Sequence, residues 1–208
     1  MAKKNSNETR IDIKTILLGD SGVGKTSLIN VLTGVPFDLE TVCTISTTYV
    51  SKEYNFNDNQ YKVNLWDTAG EEKYRQLTKL FYKGSDIVIF VYDISSKSSF
   101  KGLNSWIKEV KDIVDNKYTC GLVGNKKDLF LKEEVKESDA RALAKEKGYE
   151  FALTSAKNST IFCEFLEKLI KIYLGEDVCE DEDDNNNKKK DKIKIGNNDK
   201  TKVKKKCC

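Results

Sequence analysis

A chain of 208 residues suits one α/β domain with extensions, since domains mostly run about 100–200 residues, and it can bury a core without covalent staples. The absence of histidine excludes imidazole catalysis and histidine metal sites, six cysteines without a disulfide-like spacing fit a reducing compartment, and no apolar run approaches the ~18 residues of a membrane span. The net charge of +3 hides a division: Glu176–Asp184 holds seven acidic residues and Lys188–Lys206 ten lysines against Asp191 and Asp199, which leaves residues 1–175 with 26 basic and 24 acidic groups and no bulk-charge case for nucleic acid.

In chain order, residues 1–10 are polar and predicted to be disordered. Met1–Asn7 lacks a hydrophobic signal region, and Ala2 breaks the myristoylation pattern. Ile11–Leu18 reads as a strand and Ser27–Thr33 as the first turns of a helix that ends at Thr33-Gly34-Val35-Pro36. Between them, Gly19-Asp20-Ser21-Gly22-Val23-Gly24-Lys25-Thr26-Ser27 fits the phosphate-loop pattern of glycine, four residues, then Gly-Lys-Ser/Thr. A strand that turns through glycines into a helix leaves free backbone N–H groups at the positive end of the helix dipole, an anion site. Lys25 would neutralise β- and γ-phosphates, and the Thr26 hydroxyl would take a Mg²⁺ position.

Phe37–Thr48 has no helical period and reads as a loop. Tyr49–Phe56 and Tyr61–Trp66 form a predicted hairpin across Asn57-Asp58-Asn59, with Val50, Tyr54 and Phe56 sharing one face. Asp86–Tyr92 and Thr119–Gly124 are short apolar runs of the kind buried on both faces of a parallel sheet, and Glu150–Leu153 is the last strand. Ser98–Val114, Ser138–Lys147 (opened by a serine cap) and Thr160–Leu174 (closed by Gly175) carry apolar stripes at helical spacing. Cys43, Cys120 and Cys163 stand singly and read as packing residues. Alternating strands and helices predict a mostly parallel sheet covered on both faces, with ligands beyond the carboxyl ends of the strands.

Three more motifs fall just after strands. Trp66-Asp67-Thr68-Ala69-Gly70 puts an Asp where it can serve Mg²⁺, and Gly70 can offer its N–H to a γ-phosphate. Asn125-Lys126-Lys127-Asp128 brings a carboxylate that can accept from guanine N1–H and the 2-amino group together, two donors that adenine lacks on that edge. Thr154-Ser155-Ala156-Lys157 offers the Ala156 N–H to guanine O6. Each tetrapeptide is weak alone; four in this order are specific.

Together these motifs resemble the guanine-nucleotide motifs of the Ras superfamily. Phe81-Tyr82-Lys83-Gly84-Ser85, Phe90-Val91-Tyr92-Asp93-Ile94 and the terminal Cys207-Cys208 are similar to its Rab branch. The resemblance implies a P-loop NTPase fold, the small G domain, with a six-stranded, mostly parallel sheet and helices on both faces. It spans residues 11–175, followed by a disordered tail over 176–208. It implies GTP/GDP and Mg²⁺ as ligands and a monomer without nucleic-acid function. It also implies exchange factors, an activating protein, a prenylation escort and effectors in vesicle traffic.

By this resemblance Ser21, Gly22, Val23, Gly24, Lys25, Thr26, Ser27, Phe37, Thr44, Gly70, Asn125, Lys126, Asp128, Ser155, Ala156 and Lys157 bind the nucleotide. Thr26, Thr44 and Asp67 serve the metal, and Lys25, Thr44, Gly70 and Glu71 carry catalysis. Thr44 is chosen over Thr41, Thr47 and Thr48 by the Thr44-Ile45 pair and its distance to Asp67. Cys207 and Cys208 would be doubly geranylgeranylated, since two lipid chains anchor where one is marginal, with Lys202, Lys204, Lys205 and Lys206 adding attraction to an anionic leaflet. The expected location is cytoplasmic, with reversible attachment to the cytosolic face of an intracellular membrane.

Two departures stand out. Ser46-Thr47-Thr48-Tyr49 replaces the usual Gly-Val-Asp-Phe in the segment that effectors touch, and Glu71 replaces the usual water-orienting Gln. Glu71 has lost the amide donor and brings a negative charge toward the γ-phosphate, which would weaken the transition state, whereas a carboxylate that activates water would do the opposite; the expectation taken is altered, slow hydrolysis with a poor response to an arginine finger. A GTP-holding module with negligible turnover is the alternative. A metabolic phosphate-loop kinase would need an Arg-rich lid, yet Arg10, Arg75 and Arg141 are the only arginines.

Overall fold

In the computed structural model the described residues are 11–38, 44, 47–56, 59–70, 75–115 and 117–176. Their strands are β1 (Ile11–Leu18), β2 (Thr48–Phe56), β3 (Asn59–Asp67), β4 (Ile87–Asp93), β5 (Thr119–Asn125) and β6 (Glu150–Leu153). Their helices are α1 (Lys25–Leu32), α2 (Arg75–Lys79), α3 (Lys97–Ile113), α4 (Glu137–Lys147) and α5 (Ser159–Leu174), with a 3-10 helix at Lys127–Lys132. The strands form one six-stranded sheet in the order β2-β3-β1-β4-β5-β6. β2 runs antiparallel to β3, and the other pairings are parallel.

The period of two along the central strands builds two cores. Ile13 and Leu17 of β1 with Ile87, Ile89 and Val91 of β4 face α1 and α5, meeting Leu28, Ile29, Phe162, Leu166 and Leu169. Ile16, Leu18, Val88, Phe90 and Tyr92 face the opposite way, meeting Leu103, Trp106, Ile107 and Val110 of α3 and Ala140 and Ala144 of α4. All seven residues of β4 are buried. Each large apolar side chain so enclosed contributes about 1.5–3 kcal/mol, which fixes the sheet to which the loops are tied.

Capping residues explain four helix boundaries. The Ser96 hydroxyl accepts from the Ser99 N–H and opens α3, and Asn158 accepts from the Thr160 N–H and opens α5. Gly148 and Gly175 close α4 and α5 in the left-handed region, at φ 69° and 76°. The serine-cap reading of α4 is corrected: Lys136 takes the N-cap position without a side-chain bond, and Ser138 lies inside the first turn beside Asp139. α1 begins at Lys25, two residues before the sequence reading.

Two elements had no sequence signal. The five-residue α2 buries only Thr78, and the 3-10 helix leaves Phe130 and Leu131 exposed, so neither shows an inward stripe. Cys120 is buried and Cys163 half-buried, while Cys43 lies outside the described residues. The expected disorder of residues 1–10 and of the tail from 177 to 208 concerns residues outside them, as do Glu71, Cys207 and Cys208.

Candidate functional site

Because β1, β3, β4, β5 and β6 run parallel, their carboxyl ends share one edge. The loops that follow line a cavity of about 300 Å³ there. Ser21, Gly22, Gly24, Lys25, Thr26 and Ser27 form one end, Asn125, Lys126, Asp128, Ala156 and Lys157 the other, with Phe37, Thr44 and Gly70 alongside. Val23 and Ser155 do not line it. Val23 is buried in the core, with its carbonyl accepting from Asn125 Nδ2 at 2.9 Å, and Ser155 donates to Asp128 Oδ1 at 2.6 Å. Both brace the walls.

At the first end, Gly24 sits at φ 96°, a conformation that side chains disfavour, and hands the chain into α1. The Lys25 ammonium is folded over the loop, donating to the Gly19 and Asp20 carbonyls at 2.8 and 2.9 Å. A cation held by backbone carbonyls beside a helix N-terminus makes this end strongly attractive to phosphate. Gly70 approaches from β3, so close that a Cβ there would lie 2.5 Å from the Asp20 carbon and the Ser21 nitrogen.

Three oxygens meet beside that end. Thr26 Oγ1 lies 2.7 Å from Asp67 Oδ2 and 2.7 Å from Thr44 Oγ1, and Thr44 Oγ1 is 3.4 Å from the same carboxylate oxygen. Thr48 instead pairs with Asp67 through the β2–β3 ladder, Thr47 is half-buried ahead of it, and Thr41 lies outside the described residues. Asp67 is 4% exposed, and its Oδ1 is buried without a hydrogen-bond partner. Burial pushes its carboxyl up, against the Thr26 hydrogen bond, the Lys25 charge and further bonds from Thr44 and Thr68. An orphaned buried carboxylate oxygen among hard hydroxyl oxygens fits a small divalent cation such as Mg²⁺.

At the other end Asp128 presents both carboxylate oxygens, Oδ1 to Ser155 and Oδ2 to the Lys157 ammonium at 2.7 Å. Each oxygen keeps a second lone pair for an incoming donor. Lys126 takes a left-handed φ of 65° and pairs with Asp93 Oδ2 at 2.7 Å. Asn125 is 1% exposed and spends its amide on the Val23 carbonyl, so it joins the two ends. Phe37 is exposed, with the Lys157 ammonium 5.8 Å from its ring centre. Asp38, Thr68 and Leu129 also line the cavity, beyond the residues that the sequence names. Thr68 stood inside a quoted motif, whereas Asp38 in its loop and Leu129 after Asp128 gave no separate signal.

The model of the Ras family matches residues 14–174. The chain is 35% identical over 200 residues to the Ras-related protein RABA1c of Arabidopsis thaliana, covering 94% of this chain and 93% of that one. It is 34% identical over 199 residues to the Ras-related protein Rab11B of Nicotiana tabacum, covering 94% and 92%. Against the Ras-related protein YPT3 of Nicotiana plumbaginifolia it is 37% identical over 161 residues, covering 77% and 74%.

The chain belongs to the Ras family of small GTPases. As a Ras-family GTPase it binds guanine nucleotide and hydrolyses GTP. The six-stranded sheet of this Ras-like domain agrees with the fold that its motifs predicted. No helix among the described residues is long and apolar enough to cross a membrane.

Proposed function

We propose that this GTPase is a membrane-traffic switch, with GTP held between the phosphate loop and Asp128 and its loops ordered by the γ-phosphate. The observation that carries the reading is the meeting of Thr26, Thr44 and Asp67. Thr44 belongs to the segment between α1 and β2, so a ligand that binds at this cluster controls how that segment is held. The Rab names of the relatives support the traffic role.

Thr26, Thr44 and Asp67 would hold Mg²⁺, directly or through water, and the ion would neutralise charge on the phosphates. Lys25 gathers charge from the transferred phosphoryl group, and the Gly70 N–H is available to it. Asp128 reads the base through two accepted hydrogen bonds, steadied by Ser155 and Lys157. Phe37 lies where a purine face can rest. Glu71 would orient water as a poor substitute for Gln, which makes hydrolysis a slow timer.

Effectors, an exchange factor, an activating protein and a prenylation escort are the expected partners. Tyr49, 59% exposed, stacks on Trp66 at 5.3 Å, and Trp66 meets Phe81 at 5.2 Å. This ladder continues the altered Ser46–Tyr49 segment and gives an effector an aromatic surface. Lipids on Cys207 and Cys208 would attach the protein to the cytosolic face of an internal membrane. The test is a pelleting assay with nucleotide loading. Wild type should pellet with membranes and Cys207→Ser/Cys208→Ser should stay in the supernatant while retaining GTP; membrane recovery of the double variant contradicts the lipid claim.

A further inference from the structure

Asp20, the second residue of the phosphate loop, is held from α3. The Trp106 indole N–H donates to Asp20 Oδ1 at 2.8 Å, and Trp106 is 1% exposed. One turn earlier stands Gly102, where a Cβ would lie 2.6 Å from Asp20 Oδ2. Glycine at 102 is what lets the carboxylate lie against the helix. The Asp20 backbone faces the chemistry, with its carbonyl accepting from the Lys25 ammonium and its carbon packed on Gly70.

The same indole carries Arg75 of α2 on its face, with the guanidinium carbon 4.0 Å from the ring centre. The rest of the Arg75 fork is fixed to α3, through Glu109 at 3.0 Å and Ser105 Oγ at 2.6 Å. Glu109 also takes Lys79 from α2, at 3.3 Å, and the Tyr82 hydroxyl, at 3.4 Å. Asp20 and Arg75 thus meet one ring, the first at its N–H edge and the second on its face. A carboxylate that accepts from an indole N–H polarises the ring toward its face, which strengthens attraction for a cation there.

We propose that Trp106 is a positioning residue that ties the phosphate loop to α2, so that the hold on the nucleotide phosphates and the seating of α2 bias one another through its indole. The inference rests on the guanine-nucleotide reading of the cavity. Because coupling is reciprocal, a partner that shifts α2 off Trp106 loosens Asp20, and Lys25 with it, while a nucleotide that fixes the loop favours the stacked Arg75.

The test is the release rate of fluorescently labelled GDP from the full chain with Mg²⁺, each variant first checked for a cooperative thermal melt. Trp106→Phe keeps a ring for Arg75 but removes the N–H, and release should rise about tenfold, the scale of a lost bond to a charged group. Gly102→Ala favours the helix by intrinsic propensity yet pushes on the Asp20 carboxylate, so release should rise here too. Asp20→Ala and Arg75→Gln should combine non-additively, by at least about threefold, and become additive when Trp106 is Phe. A role in folding alone would not produce that dependence on Trp106. Additive effects with Trp106 intact, or unchanged release in Gly102→Ala, would overturn the coupling while leaving nucleotide binding in place. Failure of the wild type to take up labelled GDP would overturn the nucleotide reading and the coupling together. If Trp106→Phe does not fold, Gly102→Ala and the Asp20–Arg75 pair decide.

Discussion

The Asn125 side-chain amide donates to the Val23 carbonyl at 2.9 Å, joining the base end of the cavity to the phosphate end across 102 residues of chain. Asn125 Oδ1 also stands 3.4 Å from the Thr154 hydroxyl, so one amide links three of the four loops. Asn125→Ala leaves a buried carbonyl without its donor, which costs about 1–3 kcal/mol. Thermal denaturation should show that loss, and release of labelled GDP should quicken because both ends of the site loosen together. A variant with wild-type melting and release would remove Asn125 from this role.

On the proposed reading Asp67 serves a divalent cation, whose charge would offset the cost of burying its carboxylate. Its Oδ1 is buried and unpartnered, and burial raises its carboxyl above the ordinary range. Asp67→Ala should lower nucleotide retention in Mg²⁺ by about 10- to 100-fold, the usual scale for groups that support a metal site. With the cation chelated, wild type and variant should release nucleotide at similar rates. Equal retention of both in Mg²⁺ would contradict the assignment.

On the proposed reading Asp128 sets the choice of base. A carboxylate accepts from two adjacent donors; an amide accepts from one and donates from the other. Asp128→Asn should therefore weaken GTP binding by at least about 100-fold and favour xanthine nucleotides, whose 2-position carries a carbonyl. Competition against labelled nucleotide checks this.

Partial burial opposes ionisation of Asp128, but hydrogen bonds from Lys157 and Ser155 outweigh it and hold the carboxyl below the usual range. The sign follows: a depressed acid contributes fully above its ordinary pKa of about 3.9 and loses its contribution only as pH falls through the depressed value. Guanine affinity should thus stay flat from pH 8 down to about 5 as far as Asp128 is concerned. Lys157→Ala should move the acid limit of binding upward.

Most of the sheet was legible because its signals are local and redundant. The apolar run at β4, the alternation Tyr61-Val63-Leu65 in β3 and the stripe of α5 each state burial directly. Four loops fell on one edge because parallel strands leave them no other place. What sequence could not give is pairing between distant residues. Nothing in Ser138 says that Lys136 will take the cap position, and α2 is anchored by Arg75, Lys79 and Glu109 rather than by an apolar face. Asn125 illustrates the same limit in the site. Its motif marks it for the base, and nothing in that motif says that one of its two amide N–H donors goes to Val23.

Glu71, outside the described residues, carries the prediction about rate. Glu71→Gln restores an amide donor and removes a negative charge that the proposed reading would bring toward the γ-phosphate, so single-turnover hydrolysis should rise. On the proposed reading the Glu71 carboxylate would capture an arginine finger, so an activating protein should accelerate the variant more than the wild type. Equal rates with and without activator would remove Glu71 from the account.

The central claim is that one edge of the sheet cradles a triphosphate at Lys25 and checks its base at Asp128. The most direct measurement is extraction of nucleotide from the purified full chain, followed by competition of GTP against ATP in Mg²⁺ with a time course of phosphate release. Bound GDP or GTP, displacement by GTP but not ATP, and slow conversion of GTP to GDP are predicted. A preference for ATP, or indifference to purine triphosphates with Mg²⁺ present, would contradict it.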